Sequence, residues 1–325
     1  MKNLNILVTG GAGYIGSHVV EALVKKKCNV IIFDNLITGH KKLINKRAQF
    51  IKGDIKNFNK LSRVIKNFKI NSIIHLAAFL NVREAEKNKI KYYKNNVIGT
   101  LNLVRACKNS DVRNIIFSSS CSVYGNVNGS VKETAKINPQ GYYAYTKLKS
   151  EKIIKSYSKK LNYNYFILRY FNVAGASKSG NIGQIERSHG QLIKNLAITS
   201  LKKNPKINIY GKDYNTRDGT CIRDYIHVTD LADIHTKFVQ HQFKKKNSLI
   251  VNCGYGKGYS VKEVVEVFKS IKKNVVVSYQ KRRPGDIGQV FANTKKLKKN
   301  IKWIPKFNNI KKIILSSIEW EKKIR

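Results

Sequence analysis

The sequence has little of what marks membrane or disulfide-stabilised proteins. No run of about eighteen apolar residues occurs, so no membrane-spanning helix is expected. The chain enters an apolar segment at Leu4 without a signal-peptide pattern, and we therefore expect a cytoplasmic protein. The five cysteines show neither a CxxC pair nor ligand spacing, which argues against a disulfide framework and against a bound metal. They are Cys28, Cys107, Cys121, Cys221 and Cys253.

Acidic residues are also scarce. The 325-residue chain has 19 Asp and Glu against 63 Lys and Arg, a formal net charge of +44. Such a charge attracts nucleic acids and anionic lipids non-specifically. The lysines, however, lie in short clusters along the whole chain, such as 25–27, 244–246 and 295–299, and no aromatic residues alternate with them. We interpret them as solvated surface and expect no specific nucleic-acid partner.

The first glycine-rich loop predicts a dinucleotide site. An apolar segment over residues 4–8 predicts a buried strand, TGGAGYIG follows at residues 9–16, and a segment with helical spacing of apolar residues comes next. In this context Gly10 allows a tight turn and Gly13 lets the backbone approach a pyrophosphate. Gly16 lets the helix pack closely on the strand, with its N-terminus toward the phosphates.

An acidic residue after the next strand indicates which dinucleotide. Residues 29–33 predict a second strand, which ends at Asp34. A carboxylate there can accept hydrogen bonds from both hydroxyls of an adenosine ribose and would repel a 2′-phosphate, which favours NAD over NADP. The alternative is an Asp that caps a helix from a loop. Asp54 follows a third short strand and is placed to contact the adenine.

Strands and helices alternate through the first half of the chain and predict an α/β fold with a doubly wound, Rossmann-type parallel sheet. Ala77 follows the fourth strand, at an end where such a sheet lets a ligand approach. His75, within that strand, is expected to be a satisfied core histidine rather than a catalyst. A long helix is predicted over residues 84–109 and carries Asn95.

The length suggests one large or two moderate domains. We predict a dinucleotide-binding domain over residues 1–172, to which the chain returns near 217–240. After residue 172 the regular alternation is lost: a polar loop is expected over 175–190, and residues 173–325 are expected to form a smaller α/β substrate domain.

A tyrosine and a lysine after a serine-ended strand predict acid–base chemistry. The fifth strand ends in SSSCSVYG at residues 118–125, and Tyr143 and Lys147 follow, four residues apart on one helical face. A neighbouring ammonium favours the phenolate and should lower the pKa of Tyr143 from about 10 toward neutrality, which makes it a candidate general base. We expect only Tyr143 to have a lysine at this spacing, and Tyr142 and Tyr145 to pack or to face solvent.

These motifs together resemble the extended short-chain dehydrogenase/reductase family, and within it the NAD-dependent epimerases and dehydratases that act on nucleotide sugars. The likeness covers nearly the whole chain, and its last two motifs are specific to nucleotide-sugar enzymes. The motifs are TGGAGYIGSH (9–18), DNLITGH (34–40), NNVIGT (95–100), SSSCSVYG (118–125), RYFNVAGA (169–176), DGTCIRDYIHVTDLAD (218–233) and RRPGD (282–286).

The resemblance implies an isomerase: NAD-dependent, reversible epimerisation at C4 of a UDP-hexose, UDP-galactose or UDP-glucose, through a transient 4-keto sugar. It implies that Ser120, Tyr143 and Lys147 form the catalytic group. The NAD contacts that it implies, besides the glycines, are Tyr14, Ile15, Asp34, Asn35, Asp54, Ile55, Ala77, Asn95, Lys147 and Phe171. Besides Ser120 and Tyr143, the UDP-sugar contacts that it implies are Asn172, Gln191, Leu192, Tyr210, Arg223, Arg283, Asp286 and Val290.

The two arginines in this set also fit on chemical grounds. A diphosphate in a partly dry cleft needs fixed, permanently charged groups, and the planar guanidinium matches phosphate geometry. The alternative for Arg223 and Arg283 is a surface ion pair. The scarcity of acidic residues favours phosphate binding.

The chain departs from the family pattern at several positions. Cys121 and Ser122 replace a common Ala-Thr, Lys194 stands where the family usually has a proline, and Gln184-Ile185 replaces an acidic pair. Val290 lies at the position beside the sugar's C2 substituent, where a bulky tyrosine is associated with exclusion of N-acetylated sugars. A valine leaves more room, so UDP-N-acetylhexosamine, UDP-uronate or UDP-pentose epimerisation remain alternatives.

Two further alternatives concern the class of protein. A nucleotide-sugar dehydratase or decarboxylase would need an acidic residue next to the catalytic serine, whereas Cys121, Ser122 and Val123 follow Ser120. A non-catalytic NAD-sensing or nucleic-acid-binding protein would not need both Tyr143 and Lys147. The resemblance also implies a homodimer formed through the helices at 84–109 and 143–160.

Overall fold

The computed structural model describes residues 4–185, 191–242, 247–283 and 285–325. The lysine cluster 244–246, the last five residues of the expected polar loop and Pro284 lie outside this description. The strands are β1 (Asn5–Thr9), β2 (Asn29–Asp34), β3 (Gln49–Lys52), β4 (Ser72–His75), β5 (Asn114–Ser120), β6 (Gly129–Val131), β7 (Asn164–Tyr170), β8 (Asn172–Ala174), β9 (Lys206–Tyr210), β10 (Ile222–His227), β11 (Leu249–Cys253), β12 (Gly258–Ser260), β13 (Val276–Gln280) and β14 (Gln289–Ala292).

The α-helices vary from one turn to twenty residues. None of those in the described ranges combines the length and apolar character needed to cross a membrane. The helices are α1 (Tyr14–Lys25), α2 (Phe58–Asn67), α3 (Val82–Lys87), α4 (Lys89–Tyr92), α5 (Gly99–Ala106), α6 (Tyr142–Leu161), α7 (Leu192–Ser200), α8 (Val228–Gln242), α9 (Val261–Ile271), α10 (Lys295–Asn300) and α11 (Ile310–Ile324).

Seven parallel strands form the main sheet, in the order β11-β7-β5-β4-β1-β2-β3. Every neighbouring pair in it is parallel. The strand order reverses between β1 and β4, and in doubly wound sheets the crevice at such a switch point receives the ligand. The predicted Rossmann-type fold is therefore confirmed, and it brings the ends of β1, β2, β4 and β5 to one edge.

Helices cover both faces of this sheet and enclose two apolar cores. On one face α1 and α8 pack together, and Val19, Leu23 and Phe238 are fully buried against the sheet. On the other face α2, α5 and α6 contribute Leu61 and Leu103 among others. The strands are apolar on both sides because both sides are buried, which is typical of parallel sheets.

The single helix predicted over 84–109 is wrong. Asn81 caps α3 by accepting a hydrogen bond from the Glu84 N–H (3.1 Å), and α3 ends at Lys87 because the backbone of Asn88 leaves the helical region. The chain then re-enters a helix in which α4 and α5 are joined by a π-helical turn at Tyr93–Ile98. Such turns insert an extra residue and often occur at functional sites. Here the turn buries Asn95 beside the sheet edge.

The second half builds a smaller assembly of sheets and helices. In the second sheet β10 lies between β12 and β14, β6 pairs with β14, and β8 pairs with the other half of β10. A separate parallel pair joins β9 and β13. The helices α7, α9 and α11 bury a third apolar core that includes Leu196, Phe268 and Ile314.

The chain returns to the first domain over more residues than the expected 217–240. The helix α8 packs on α1, and β11 then adds the seventh strand beside β7. Leu297, Ile301 and Trp303, in and after α10, also join the first core. We therefore propose a division at residue 172 in which the dinucleotide-binding domain includes these returning segments.

Candidate active site

The glycine loop has no room for a side chain at Gly10 or Gly16. Gly10 has φ +74°, and a Cβ placed on it would lie 2.7 Å from the Ala77 nitrogen, at the end of β4. A Cβ on Gly16 would overlap the Gly10 carbonyl oxygen. Gly13 precedes α1, which has no side-chain cap and no acidic residue in its first turn. The loop thus holds a helix N-terminus at the switch point, as a bound pyrophosphate requires.

The expected nucleoside contacts lie together at the ends of β2 and β3. Asp34 is buried, and its carboxylate accepts hydrogen bonds from the Ala12 N–H (3.0 Å) and the Leu36 N–H (2.8 Å). Burial raises its pKa. Asn35 donates to Asp54 (3.1 Å), which joins the two residues expected at the adenosine end. Both donors to Asp34 are loop amides, which does not support the helix-capping alternative.

The remaining cofactor candidates surround this edge. The Tyr14 hydroxyl donates to the Gly175 carbonyl oxygen (2.6 Å), and the next residue, Ile15, is partly buried against the first core. Ile55 is buried, and a Cβ on Gly99 would overlap its side chain. Phe171 is buried in a cluster of apolar residues beside β5 and β14.

The π-helical turn positions two asparagines, of which the sequence predicted one. Asn95 donates to the Asn96 side chain (3.0 Å). Asn96 in turn bonds both backbone groups of Phe79 (2.9 and 3.1 Å) and the Thr146 hydroxyl (3.2 Å). It therefore ties the segment after β4 to α6. The Asn-Asn pair in the NNVIGT motif was the available signal for Asn96.

The three expected catalytic residues meet at the end of β5. Ser120 is the last residue of that strand, and its side chain lies close enough to the Tyr143 phenol to lower the pKa of that phenol. Lys147 lies one turn further along α6; it is 2% exposed, and its ammonium donates to the Ser118 carbonyl oxygen (2.7 Å). The nitrogen lies 6.0 Å from the centre of the Tyr143 ring.

The electrostatics of this group differ from the expectation. Burial raises the pKa of Tyr143, and the neighbouring Ser120 side chain acts in the opposite direction. Burial also lowers the pKa of Lys147 to about 7, against a raising effect of the Glu151 carboxylate. The expected lowering of the Tyr143 pKa by Lys147 is therefore wrong for the protein chain alone. Burial disfavours both the Tyr143 phenolate and the Lys147 ammonium, and this effect is larger than the stabilisation of either charge by neighbouring groups.

Spacing does not by itself separate Tyr143 from its neighbours. Lys149 follows Tyr145 at the same interval and lies 5.4 Å from its ring centre, so the expectation that only Tyr143 has such a lysine is wrong. Tyr145 is exposed, and its ring packs against that of Tyr142 at 5.5 Å. The contact with Ser120 is what distinguishes Tyr143.

Several of the expected UDP-sugar contacts lie next to this group. Arg223 in β10 is in register with Val290 in β14 and lies close enough to Cys121 to affect its electrostatics. Val290 is buried in the same cluster as Phe171. These residues thus form the wall beside the end of β5. Cys121 itself is a neutral thiol, because burial raises its pKa to about 12.

The arginines have no carboxylate partner among the described residues. Arg223 donates to the carbonyl oxygen of Ile222 (2.9 Å), and the Arg283 guanidinium lies 3.7 Å from the centre of the Tyr210 ring. The Nε of Arg283 is buried without a hydrogen-bond partner in the described structure. The neighbouring Arg217 and Arg282 are the ones that form surface ion pairs. This difference favours an anionic ligand for Arg223 and Arg283.

The other substrate candidates come from β8, α7 and the segment before β14. Gln191 immediately precedes α7, which begins at Leu192, and Asp286 donates its N–H to the Arg283 carbonyl oxygen (3.2 Å). Asn172 is exposed in β8. The Gln191 side chain accepts a hydrogen bond from that of Gln184 (3.2 Å).

Lys194, which departs from the family pattern, is buried. Its ammonium donates to the Gln184 carbonyl oxygen (2.6 Å) and forms an ion pair with Glu321 in α11. The Trp320 indole donates to the same carbonyl oxygen (2.8 Å). The unusual lysine therefore fastens α7 and the segment before it to the last helix.

The sequence also missed a buried polar network behind the catalytic group. Glu151, one turn after Lys147, forms a two-point ion pair with Arg169 (3.0 and 2.7 Å) and accepts a hydrogen bond from the Ser119 hydroxyl (2.5 Å). Arg169 was noted only as part of the RYFNVAGA motif. A glutamate four residues after the lysine was the signal available for Glu151.

The strand order, the glycine loop and the Ser–Tyr–Lys group define a dinucleotide-binding protein of the short-chain dehydrogenase/reductase class. Residues 6–254 match the NAD dependent epimerase/dehydratase family. The chain belongs to this family.

Its relatives share nearly the whole chain. A UDP-glucose 4-epimerase of Azospirillum brasilense is 37% identical over 321 residues, which cover 98% of this chain and 92% of the relative. The structure of a UDP-glucose 4-epimerase from Stenotrophomonas maltophila, with bound NAD and formylated UDP-arabinopyranose, is similar with a TM-score of 0.94 at 30% identity, covering 99% and 98% of the two chains. The UDP-Glc/GlcNAc 4-epimerase of Campylobacter jejuni gives a TM-score of 0.86 at 36% identity, covering 98% and 99%.

Proposed function

We propose that the protein is an isomerase that epimerises a UDP-hexose at C4, reversibly interconverting UDP-glucose and UDP-galactose through a transient 4-keto sugar. One observation carries the proposal: Ser120, Tyr143 and Lys147 meet at the end of β5, beside the switch point that holds the glycine loop. The near full-length likeness to UDP-glucose 4-epimerases supports the same reaction.

The glycine loop, Asp34, Asn35 and Asp54 would hold NAD, and the lack of room for any Cβ at Gly10 and Gly16 fits a close backbone approach to its pyrophosphate. When bound, NAD supplies the acceptor and donor of the C4 hydride. The remaining expected contacts, among them Ala77, Asn95 and Phe171, lie around the same edge of the sheet.

Tyr143 acts as the acid–base group in this proposal. It takes the proton of the sugar's 4-hydroxyl and returns it after the hexose has presented its other face. Burial raises the pKa of Tyr143, so its phenolate depends on positive charge nearby, of which Lys147 supplies one unit. Ser120, whose side chain lies beside the phenol, would bond the same substrate oxygen.

Arginine anchoring of the diphosphate would permit the hexose to turn. Arg223 lies beside the catalytic group, whereas Arg283 lies on Tyr210 at the smaller assembly. Neither pairs with a carboxylate in the described part of the chain, so both charges can serve phosphate groups. We propose that these groups hold the UDP firmly, together with Asn172, Gln191, Leu192 and Asp286.

The choice of sugar is a second question. Val290 is small and lies in the apolar wall next to Phe171, which favours acceptance of a substituent at C2. The Campylobacter jejuni relative is a UDP-Glc/GlcNAc 4-epimerase, and the Stenotrophomonas maltophila structure holds a UDP-pentose derivative. UDP-N-acetylhexosamines, UDP-uronates and UDP-pentoses are therefore the alternative substrates.

Other reactions of the same class need groups that this site lacks. A dehydratase would need a carboxylate immediately after Ser120, where Cys121 stands. The nearest buried carboxylate on α6, that of Glu151, is occupied by Arg169 and Ser119. A non-catalytic NAD sensor or nucleic-acid-binding protein would not require the contact between Ser120 and Tyr143.

We also propose a homodimer in the cytoplasm. Around α3 and α4, Leu80, Val82 and Ile90 are 57%, 53% and 72% exposed, close in sequence to helices that the family resemblance places at a subunit interface. Exposed apolar side chains of this kind are commonly covered by another subunit. The +44 charge would help to draw in an anionic UDP-sugar.

Turnover without an external oxidant tests the function directly. The purified protein, with no added NAD, is incubated with UDP-galactose and separately with UDP-N-acetylgalactosamine, and the products are resolved by NMR. We expect conversion of UDP-galactose to UDP-glucose, and the ratio of the two rates measures how Val290 shapes the pocket. Inactivity in a protein that binds no NAD would support the non-catalytic alternative instead.

The variant Tyr143→Phe tests the assignment of the base. We expect turnover to fall by about 10²- to 10⁴-fold, because the phenol oxygen that moves the proton is gone, while NAD and UDP still bind. The matched control is Tyr145→Phe, which removes an exposed hydroxyl two residues away and should leave turnover unchanged. A fully active Tyr143→Phe enzyme would contradict the assignment.

A further inference from the structure

A buried carboxylate lies directly behind the proposed catalytic group. Glu151 is 2% exposed and follows Lys147 by four residues, on the same face of α6. Its two oxygens accept hydrogen bonds from the Arg169 guanidinium (3.0 and 2.7 Å), and one of them also accepts from the Ser119 hydroxyl (2.5 Å). The residue after Ser119 is Ser120.

The partners of Glu151 come from several elements. Arg169 in β7 also donates to the Tyr124 hydroxyl (3.0 Å), just after β5. Tyr124 donates to the Asn252 side chain (2.7 Å) in β11, whose amide group donates to the Val131 carbonyl oxygen (2.8 Å). A continuous chain of hydrogen bonds therefore links the end of β5 to α6, β7 and β11.

We propose that Glu151 is a positioning residue for the catalytic group, which keeps Lys147 charged and holds the end of β5 at the distance that lets Ser120 meet Tyr143. The proposal rests on the proposed function, since it assigns Glu151 a part in the same reaction. The observation that supports this proposal is the position of the Glu151 carboxylate. Lys147 lies one helical turn away from it, and Ser119, the neighbour of Ser120, donates a hydrogen bond to it.

Glu151 is the one negatively charged group among those described around the Lys147 ammonium. Tyr143 on α6 and Tyr170 on β7 are kept as neutral phenols, because burial raises the pKa of both. His75 on β4 is neutral, since burial lowers its pKa to about 3 and both ring nitrogens bond hydroxyl groups. Arg169 on β7, the other charged group, is a cation.

The Lys147 pKa lies close to neutral pH, so a single neighbouring charge can change how much of the side chain is protonated. Burial lowers the pKa of Lys147 to about 7, and the Glu151 carboxylate raises it. Glu151 is the one carboxylate that acts on this pKa in the part of the chain that the structure describes. Without its negative charge the ammonium would lose its proton at a lower pH, and the phenolate of Tyr143 would lose its stabilising cation.

The variant Glu151→Gln tests the charge. We expect kcat to fall by about 10- to 100-fold, and the loss of activity at alkaline pH to begin about one pH unit lower than in the wild type, because Lys147 deprotonates earlier. The pH above which the protein releases NAD should move in the same direction, since Lys147 is proposed to contact NAD. Both profiles are recorded, the second by titration of NAD without any substrate.

Two control variants separate charge from shape. Glu151→Asp retains the charge, so its alkaline limit should stay at the wild-type pH even if kcat falls several-fold. Ser119→Ala keeps the ion pair and removes only the link to β5, so its kcat should fall while its alkaline limit is unchanged. If Glu151→Gln fails to fold because Arg169 is left buried without its partner, Glu151→Gln combined with Arg169→Met removes that guanidinium. A smaller shift in the same direction is then expected, because loss of the Arg169 cation partly offsets loss of the Glu151 carboxylate.

The outcomes are distinguishable. A folded, NAD-bound Glu151→Gln protein with unchanged pH profiles overturns the proposal, because a merely structural ion pair would lower stability without moving either profile. Wild-type protein that converts no UDP-sugar overturns the proposed function instead. In that case the pH profile of NAD release still supports or overturns the effect of Glu151 on Lys147.

Discussion

The cofactor side and the substrate side of the site are built differently. On the cofactor side, the ends of β1, β2 and β4 meet at one sheet edge, and backbone crowding at Gly10 and Gly16 shapes the surface. On the substrate side, long side chains such as Arg223 and Arg283 come from strands and loops far apart in sequence. Local sequence is therefore informative about the first side, whereas the second depends on how distant segments pack.

Two buried ion pairs of the protein also differ in their surroundings. Glu151 and Arg169 lie behind the catalytic group, whereas Lys194 and Glu321 join α7 to α11. A buried pair contributes little net stability but costs much when one partner is removed, because the other charge stays buried. The comparison predicts that the second pair serves attachment and the first pair also serves chemistry.

The largest expected effect on stability is at Lys194. Lys194→Met leaves the Glu321 carboxylate buried with the half-exposed Arg325 as its remaining ion-pair partner (3.3 Å), and we expect the free energy of unfolding to fall by up to about 3–5 kcal/mol. The double variant Lys194→Met/Glu321→Leu replaces the pair by apolar groups and should recover most of that loss, as measured by urea unfolding. Its kcat should stay near the wild-type value.

The pair behind the catalytic group gives the contrast. Glu151→Gln/Arg169→Met should fold but remain slow. If the double variant on the substrate side were equally slow, the proposed difference between the two pairs would be wrong.

A smaller effect is expected where a methyl group is added to the glycine loop. A Cβ on Gly16 would overlap the Gly10 carbonyl oxygen, so Gly16→Ala should cost about 1–3 kcal/mol and release NAD. Gly288→Ala, on the substrate side, is the matched control. Its Cβ would lie 3.8 Å from the nearest neighbour, in ordinary contact, so stability and NAD content should not change. Calorimetry and the absorbance of NAD released on denaturation measure both.

The pH dependence of stability is the most gradual effect. Burial lowers the pKa of His18 and His235 to about 4 and of His75 and His227 to about 3. The stability that these neutral side chains contribute is fully present above pH 6.5. It is lost as the pH falls from 6.5 toward the folded pKa values, because in that range the histidines of the unfolded chain bind protons and those of the folded protein do not. Each of the four histidines lowers the free energy of unfolding by about 1.4 kcal/mol for every pH unit between 6.5 and its folded pKa. Burial raises the pKa of Asp224 to about 6, which opposes this slope over the same range.

Urea unfolding at pH 7.5, 6.0 and 5.0 checks this sign. The four histidines outnumber the two carboxyl groups whose pKa burial raises, Asp224 and Asp34, so the protein should become less stable at each step. His75→Gln should show a shallower slope than the wild type, whatever its stability at pH 7.5. An increase in stability on acidification would contradict the histidine account.

The sequence predicted regular elements best where each one is set by its own residues. Apolar segments and the glycine loop give the strands and helices of the first half, because hydrophobic periodicity and glycine geometry are local properties. The helix over 84–109 was wrong because Asn88 leaves the helical region and a π-helical turn follows. The break at Asn88 and the π-helical turn leave the spacing of the apolar residues nearly helical, so this spacing did not reveal either of them.

The sequence by itself determined which functional groups are available: a phosphate-binding loop, an acidic residue for a ribose, and a tyrosine with a lysine one turn away. The tertiary structure decided which groups act. It placed Ser120 against Tyr143 rather than Tyr145, raised the pKa of Tyr143 by burial, and brought Glu151 to Arg169 and Ser119. Desolvation and contacts between distant segments exist only once the chain is packed, so no local pattern could have supplied them.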